Sequence, residues 1–237
     1  VETGFAFREA GAEVAESHIN HLIRGEVKLA DYQILAIPGG FTYGDDISAG
    51  KVLANEIRLK LGESLRDFVA GGGLVLGICN GLQVLVKTGI LPGTEQDGEV
   101  TLAANDSGRF ECRWVYLKAN AESPCLFTQG IERLYLPVAN GEGKVVTSGQ
   151  PLPEANIALR YVDENGKANP GYPANPSGSE DDIAGICDPT GRIFALMPHP
   201  ERHLRGTQHP RWTREGAQKY GDGFQIFLNA VKWAKSS

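Results

Sequence analysis

No stretch of this sequence approaches the ~20 consecutive apolar residues that a membrane-spanning helix needs. Leu74 to Val86 is interrupted by Gly77, Asn80, Gly81 and Gln83, so nothing in the chain is expected to cross a bilayer. An excess of positive charge is lacking too. Lys and Arg number 23 against 29 Asp and Glu, a formal net charge of −6, and a nucleic-acid polyanion is repelled on average by such a chain. Cysteine is sparse: Cys79, Cys112, Cys125 and Cys187 form no C-x-x-C pair and lack the density of small disulfide-stapled domains. They predict free thiols in a reducing, cytoplasmic setting, and no metal site is expected. The phosphate-cradling pattern G-x-x-x-x-G-K-[ST] is absent, as are internal repeats and low-complexity segments. The sequence opens at Val1 with neither a starting methionine nor the charged-then-apolar pattern of a signal peptide. A natural gene product longer at its N-terminus is expected.

What is present suits one globular unit. With 237 residues, 41% hydrophobic and 22% charged, the chain can bury one substantial core, and residues 1–237 are read as a single domain. Glu2 to Ala10 reads as a short amphipathic helix closed by Gly11, and Ala12 to Glu16 as extended. Gln33 to Ile37 and Leu74 to Ile78 are apolar throughout, as strands buried on both faces are. Between them lie helix patterns over Lys51 to Lys60 and from Ser64, as a cap, to Ala70. This alternation predicts a doubly wound α/β arrangement with a mainly parallel sheet. From Val100 the pattern changes to short extended runs: Phe110 to Leu117, Tyr135 to Val138, Val145 to Thr147, Asn156 to Val162, Ile183 to Cys187 and Arg192 to Met197. Asn-Gly and Asp-Pro-Thr-Gly turns divide them, which adds antiparallel strands to the same core. Asn169 to Ser179, rich in Pro and Gly, reads as a loop. Gly223 to Lys235 reads as a closing helix with Phe224, Phe227, Leu228 and Val231 on one stripe.

The chemistry is read from the end of the second apolar strand. Gly77-Ile78-Cys79-Asn80-Gly81 is the thiol counterpart of the G-x-S-x-G turn, in which small residues two positions to either side permit a strained strand-to-helix elbow with the nucleophile at its tip. There the N-terminus of the following helix favours negative charge on the sulfur. A lone cysteine is also commonly a small buried hydrophobe, so the reading needs a base. Met197-Pro198-His199-Pro200-Glu201 supplies one: prolines fix the backbone around His199 just past a strand end, and Glu201 is close enough to orient the imidazole. Ligands of open α/β sheets bind beyond the carboxyl ends of strands, where both segments emerge. Two backbone N–H groups, at Asn80 in the elbow and at Gly40 after a neighbouring strand, can form an oxyanion hole. His18, His21, His203 and His209 read as ordinary solvated residues.

These residues, with Gln83 one turn into the helix, resemble the class I, triad-type glutamine amidotransferases. "PGGFTYGDDISAGKVLANEI" (38–57), "NGEGK" (140–144), "YPANPSGSEDDIAGI" (172–186) and "GRIFALMPHPER" (191–202) narrow the resemblance to the glutaminase components of phosphoribosylformylglycinamidine synthase. The resemblance implies a flavodoxin-like fold whose first strand is missing from this chain. It implies Cys79 as nucleophile, His199 as acid and base, Glu201 as its orienting partner and Gly40 with Asn80 as oxyanion hole. Gln83, Asn105 and Phe110 are the implied glutamine contacts. It further implies glutamine as substrate and ammonia passed to a synthetase subunit that carries ATP and Mg, with or without a small bridging subunit; this chain itself needs no cofactor. Asn140 stands where the family commonly has histidine. Two alternatives stay open on the residues alone: a DJ-1/PfpI-type hydrolase, which also places a thiol on an elbow, and a catalytically silent regulatory module of the same fold.

Overall fold

A computed structural model describes residues 1–40, 51–93, 100–147 and 149–236. In chain order the helices and strands are α1 (Glu2–Glu9), α2 (Ile19–Ile23), β1 (Ile34–Ile37), α3 (Lys51–Lys60), α4 (Gly62–Ala70), β2 (Leu74–Ile78), α5 (Asn80–Lys87), β3 (Val100–Ala103), β4 (Glu111–Ala119), β5 (Arg133–Asn140), β6 (Lys144–Thr147), β7 (Ile157–Val162), β8 (Ile183–Cys187), β9 (Ile193–Leu196), α6 (Trp212–Glu215) and α7 (Phe224–Ser236). Among the described residues no helix is long and apolar enough to cross a membrane.

Seven strands form one sheet in the order β1-β2-β9-β8-β7-β4-β5, and β3 pairs with β6 in a separate ribbon. β1, β2 and β9 are mutually parallel, and β8, β7, β4 and β5 follow with antiparallel pairing. Strand direction therefore agrees for β1, β2, β9, β7 and β5 and is reversed for β8 and β4. Hydrophobicity follows position. Central β2 and β9 are buried along their whole length, because helices and loops cover both faces. β4 and β5 bury Val115, Leu117, Leu134, Leu136 and Val138 on one face and leave Trp114, Tyr116 and Tyr135 half-buried on the other, the period-two alternation of a sheet flank.

At the opposite end β1 is an edge. Its outer side pairs with no strand among the described residues, and Ile34, Leu35 and Ala36 there are only half-buried. Ala12 to Glu16, expected to be extended, joins no ladder among the described residues. α1 ends where glycine predicts, with Gly11 at φ +90°, and packs on α7 through an edge-on contact of Phe7 with Phe227 at 5.0 Å. On α7 the expected stripe is buried at Phe224, Phe227 and Val231, Leu228 is half-buried, and Ile226 joins them. The sequence expectation fails at Ser64: α4 begins two residues earlier, capped by Leu61 without a side-chain bond. The chain runs from α3 into α4 with Leu61 buried between them, so burying that leucine outweighs an optimal polar cap worth ~1 kcal/mol.

Candidate active site

β2 and β9 lie side by side and parallel, and both release the chain at the same end of the sheet. Directly after β2, Cys79 takes φ 52° and ψ −105°. A non-glycine residue in that region is strained by about 1–3 kcal/mol and persists only where its surroundings enforce it. The surroundings do. The Cys79 N–H donates to the Leu196 carbonyl at 2.8 Å, and its own carbonyl accepts from Leu82 at 2.9 Å, closing the first turn of α5. The flanking glycines are steric necessities: a Cβ on Gly81 would stand 2.2 Å from the Ile37 carbonyl oxygen, and one on Gly77 would stand 2.8 Å from the Gly81 backbone and from Leu85. The elbow is thus a place where α5 presses onto β1 and β2 without side chains between them.

After β9 the chain delivers His199 to the same place. Its N–H donates to Pro137 of β5 at 2.8 Å, and its Nδ1 meets the Glu201 carboxylate at 2.7 Å, both side chains being buried. On the other side of the ring Nε2 has no hydrogen bond of normal geometry. The Cys79 thiol is nevertheless near enough to raise its affinity for a proton, and nucleophile–base hydrogen bonds commonly tighten only when substrate binds. The thiol makes one loose contact, 3.9 Å to the Ala139 carbonyl. Gly39 completes the approach: a Cβ there would fall 2.9 Å from His199 Cε1 and 3.3 Å from the Cys79 Cβ, so glycine lets the segment after β1 close over the pair.

Burial is the largest influence on His199 and disfavours its charged form, yet the interactions with Cys79 and Glu201 together outweigh it and push the imidazole up to about 9. Folding thus raises its affinity for a proton. Below the unfolded value of 6.5 that contribution to stability is complete, and it vanishes as pH climbs through about 9. The unfolding free energy is expected to decline over that interval, and Glu201→Gln should flatten the decline. Urea unfolding across a pH series checks this; parallel profiles for the two proteins would contradict it.

Cys79 and His199 open onto a cavity of about 380 Å³, which Gly40, Asn80, Gln83 and Phe110 also line. A larger hollow of about 760 Å³ lies between the 22–33 segment, α4 and the end of α7. It is lined by no cysteine or histidine, so size alone does not identify the site. Gln83 is buried and its Nε2 donates to the Glu142 carbonyl at 2.8 Å, pinning the turn after β5 to α5. Phe110 is a largely exposed lip. Asn105 does not line the cavity. Its Nδ2 donates to the Arg109 and Asn140 carbonyls at 3.0 and 2.8 Å, and its Oδ1 accepts from Gly143 at 3.0 Å. It holds the 140–143 turn from behind, whereas the side-chain amide of buried Asn140 finds no partner among the described residues.

Two lining residues were not foreseen as such. Glu142 enters from that turn and Arg202 from the turn after His199; both lie inside quoted motifs, and only the three-dimensional path brings these residues to the cavity that Cys79 lines. The "FTYGDD" segment lies outside the described residues. No group of His, Cys, Asp and Glu able to hold a metal occurs among the described residues.

Residues 1–234 match the family model described as CobB/CobQ-like glutamine amidotransferase domain. The chain is 60% identical over 236 residues to phosphoribosylformylglycinamidine synthase subunit PurQ of Dehalococcoides mccartyi, covering 99% of this chain and 92% of that protein. It is 45% identical over 250 residues to the subunit of the same name from Methanococcus maripaludis, covering 98% and 92%. Among solved structures it is similar to one described as PurLQS from Thermotoga maritima, with a TM-score of 0.70 and 29% identity over 98% of this chain and 91% of that one.

Proposed function

Because the chain belongs to the CobB/CobQ-like glutamine amidotransferase family, we propose that residues 1–237 act as one glutaminase unit in which Cys79, His199 and Glu201 form the catalytic triad. The activity is hydrolysis of glutamine to glutamate and ammonia, feeding formylglycinamidine ribonucleotide synthesis in purine biosynthesis. The observation that carries the triad is the shared exit of β2 and β9, which places a strained thiol and a buried His–Glu pair on one cavity.

In the first half-reaction the Cys79 thiol gives its proton to His199 Nε2 as Sγ adds to the side-chain carbonyl carbon of glutamine. The oxyanion is met by the backbone N–H groups of Gly40, held at φ +127° beside the cavity, and of Asn80, in the first turn of α5. His199 passes its proton to the departing nitrogen as the C–N bond breaks, so ammonia leaves and a thioester remains. In the second half-reaction neutral His199 takes a proton from water, hydroxide adds to the thioester, and the C–S bond breaks as His199 returns that proton to the sulfur, giving glutamate and the regenerated thiol. Glu201 keeps the imidazole in the orientation that directs Nε2 at the sulfur. Gln83 and Asn105 hold the 140–143 wall of the cavity, and Phe110 borders its mouth.

Ammonia loses its nucleophilic lone pair once protonated in neutral water, so it is handed directly to a synthetase subunit, with or without a small bridging subunit. ATP and Mg act on that partner, as the absence of a nucleotide loop from this sequence suggests. Four free cysteines suit a reducing cytoplasm. Family membership together with a complete triad outweighs both the DJ-1/PfpI-type and the silent-module readings. A glutamine analogue bearing a diazoketone is expected to alkylate Cys79 alone, with exposed Cys112 as internal control. Peptide mass mapping that finds the label on Cys112 and not on Cys79 would overturn the assignment.

A further inference from the structure

The triad can attack any carboxamide that reaches it, so selection of free glutamine has to come from the rest of the cavity. Glutamine differs from a simple amide by a carboxylate and an ammonium group at its far end. Apart from His199, two lining residues among those described carry charge, one of each sign: Arg202 and Glu142.

Arg202 owes its place to the tight turn after β9. His199 caps the 3₁₀ turn Pro200–Arg202, and the Arg202 N–H donates to the His199 carbonyl at 3.3 Å. Residues three apart eclipse in such a turn, which stands the guanidinium on the same side as the imidazole. Its present partner is weak. Nε lies 3.3 Å from the Glu2 carboxylate, with both side chains substantially exposed, a kind of pair that solvent and salt screen. The two terminal nitrogens bond to none of the described residues. Glu142 comes from the turn after β5 with its backbone fixed by Gln83, and its carboxylate forms no ion pair among the described residues.

Resting on the glutaminase reading, we propose that Arg202 and Glu142 read the two ends of the amino-acid head: Arg202 exchanges Glu2 for a paired bond to the α-carboxylate, while Glu142 accepts from the α-ammonium. They are specificity-determining residues, and neither touches the reacting carboxamide.

The test uses the complex with its synthetase and compares glutamine with two truncated amides: 4-aminobutanamide, which lacks the carboxylate, and glutaramate, which lacks the amino group. Arg202→Gln is expected to lower the ratio of kcat/KM for glutamine over 4-aminobutanamide about 10- to 100-fold, through KM and not kcat, as loss of a charge-assisted bond predicts. Arg202→Lys should recover part of it. Glu142→Gln should lower the ratio of glutamine over glutaramate in the same way. Ratios that stay at wild-type values, even with reduced overall activity, would overturn the proposal by showing that these residues are structural or meet the partner. Wild-type complex that turns over none of the three amides would instead remove the glutaminase reading itself.

Discussion

Cys79→Ala is expected to abolish glutamine-dependent synthesis, by about 10⁴-fold or more, while ammonia-dependent synthesis by the partner persists within about a factor of two. The first effect follows from the chemistry: no other sulfur lines the cavity, and without Sγ no thioester forms. The second follows from the packing. Alanine keeps the Cβ, and the sulfur makes one loose hydrogen bond, 3.9 Å to the Ala139 carbonyl, while its neighbour His199 stays held by Glu201 and by the Pro137 carbonyl, so its removal leaves the docked surface in place. Parallel assays with glutamine and with an ammonium salt separate the two, and continued use of glutamine by the variant would end the account. A companion substitution reads the backbone directly. Cys79→Gly removes the Cβ that makes φ 52° costly and should raise stability over Cys79→Ala by about 1 kcal/mol or more, with activity equally absent. Glycine more stable than alanine at this position is the signature of backbone strain kept for function.

The second large effect is expected at a residue with no side chain. Gly81→Ala should cost about 3 kcal/mol or more and most of the activity. A single methyl there would lie 2.2 Å from the Ile37 carbonyl oxygen and 3.1 Å from its carbon. Both are backbone atoms of a strand, which cannot rotate aside as a flexible side chain would. The clash is relieved only if α5 withdraws from β1, and α5 begins at the residue after the nucleophile. Gly62→Ala supplies the contrast. Gly62 is also helical, and its nearest prospective neighbours are 3.9 and 4.0 Å away, so the added methyl should be neutral or stabilise by about 0.5–1 kcal/mol. Denaturant unfolding and glutaminase activity measured on both variants decide it. Equal tolerance at the two positions would mean that the elbow does not depend on the close approach of helix and strand.

The candidate site was legible to different depths. Cys79, His199 and Glu201 were readable because each lies at a punctuation mark of the chain, a glycine-framed or proline-framed end of an apolar run, and local grammar fixes such points strongly. Gly39 and Gly40 were readable as a loop, but the contacts of Gly39 with His199 and Cys79 are between segments 160 and 40 positions apart, and no local pattern carries that information. Asn105 illustrates the same limit. Its motif marks it as special, while its amide is committed to the backbone of a turn some 35 residues onward. In the fold, Ser64 looked like a helix start because its side chain suits a cap, and the burial of Leu61 between two helices shifted the boundary.

By itself the sequence determined most of the strands, though not β3, the elbow and the class of chemistry. Those depend on residue spacing, on where glycine and proline interrupt an apolar run, and on which side chains can attack, accept a proton or orient a base. Only the tertiary structure decided that β9, last of the described strands, inserts beside β2, that Pro137 of β5 holds His199 while Ala139 lines the cavity, and that Arg202 and Glu142 line that same cavity. The reason is physical. Sheet order and the meeting of distant turns are set by how the whole apolar surface can be buried at once, a quantity shared among all the strands and written in none of them singly.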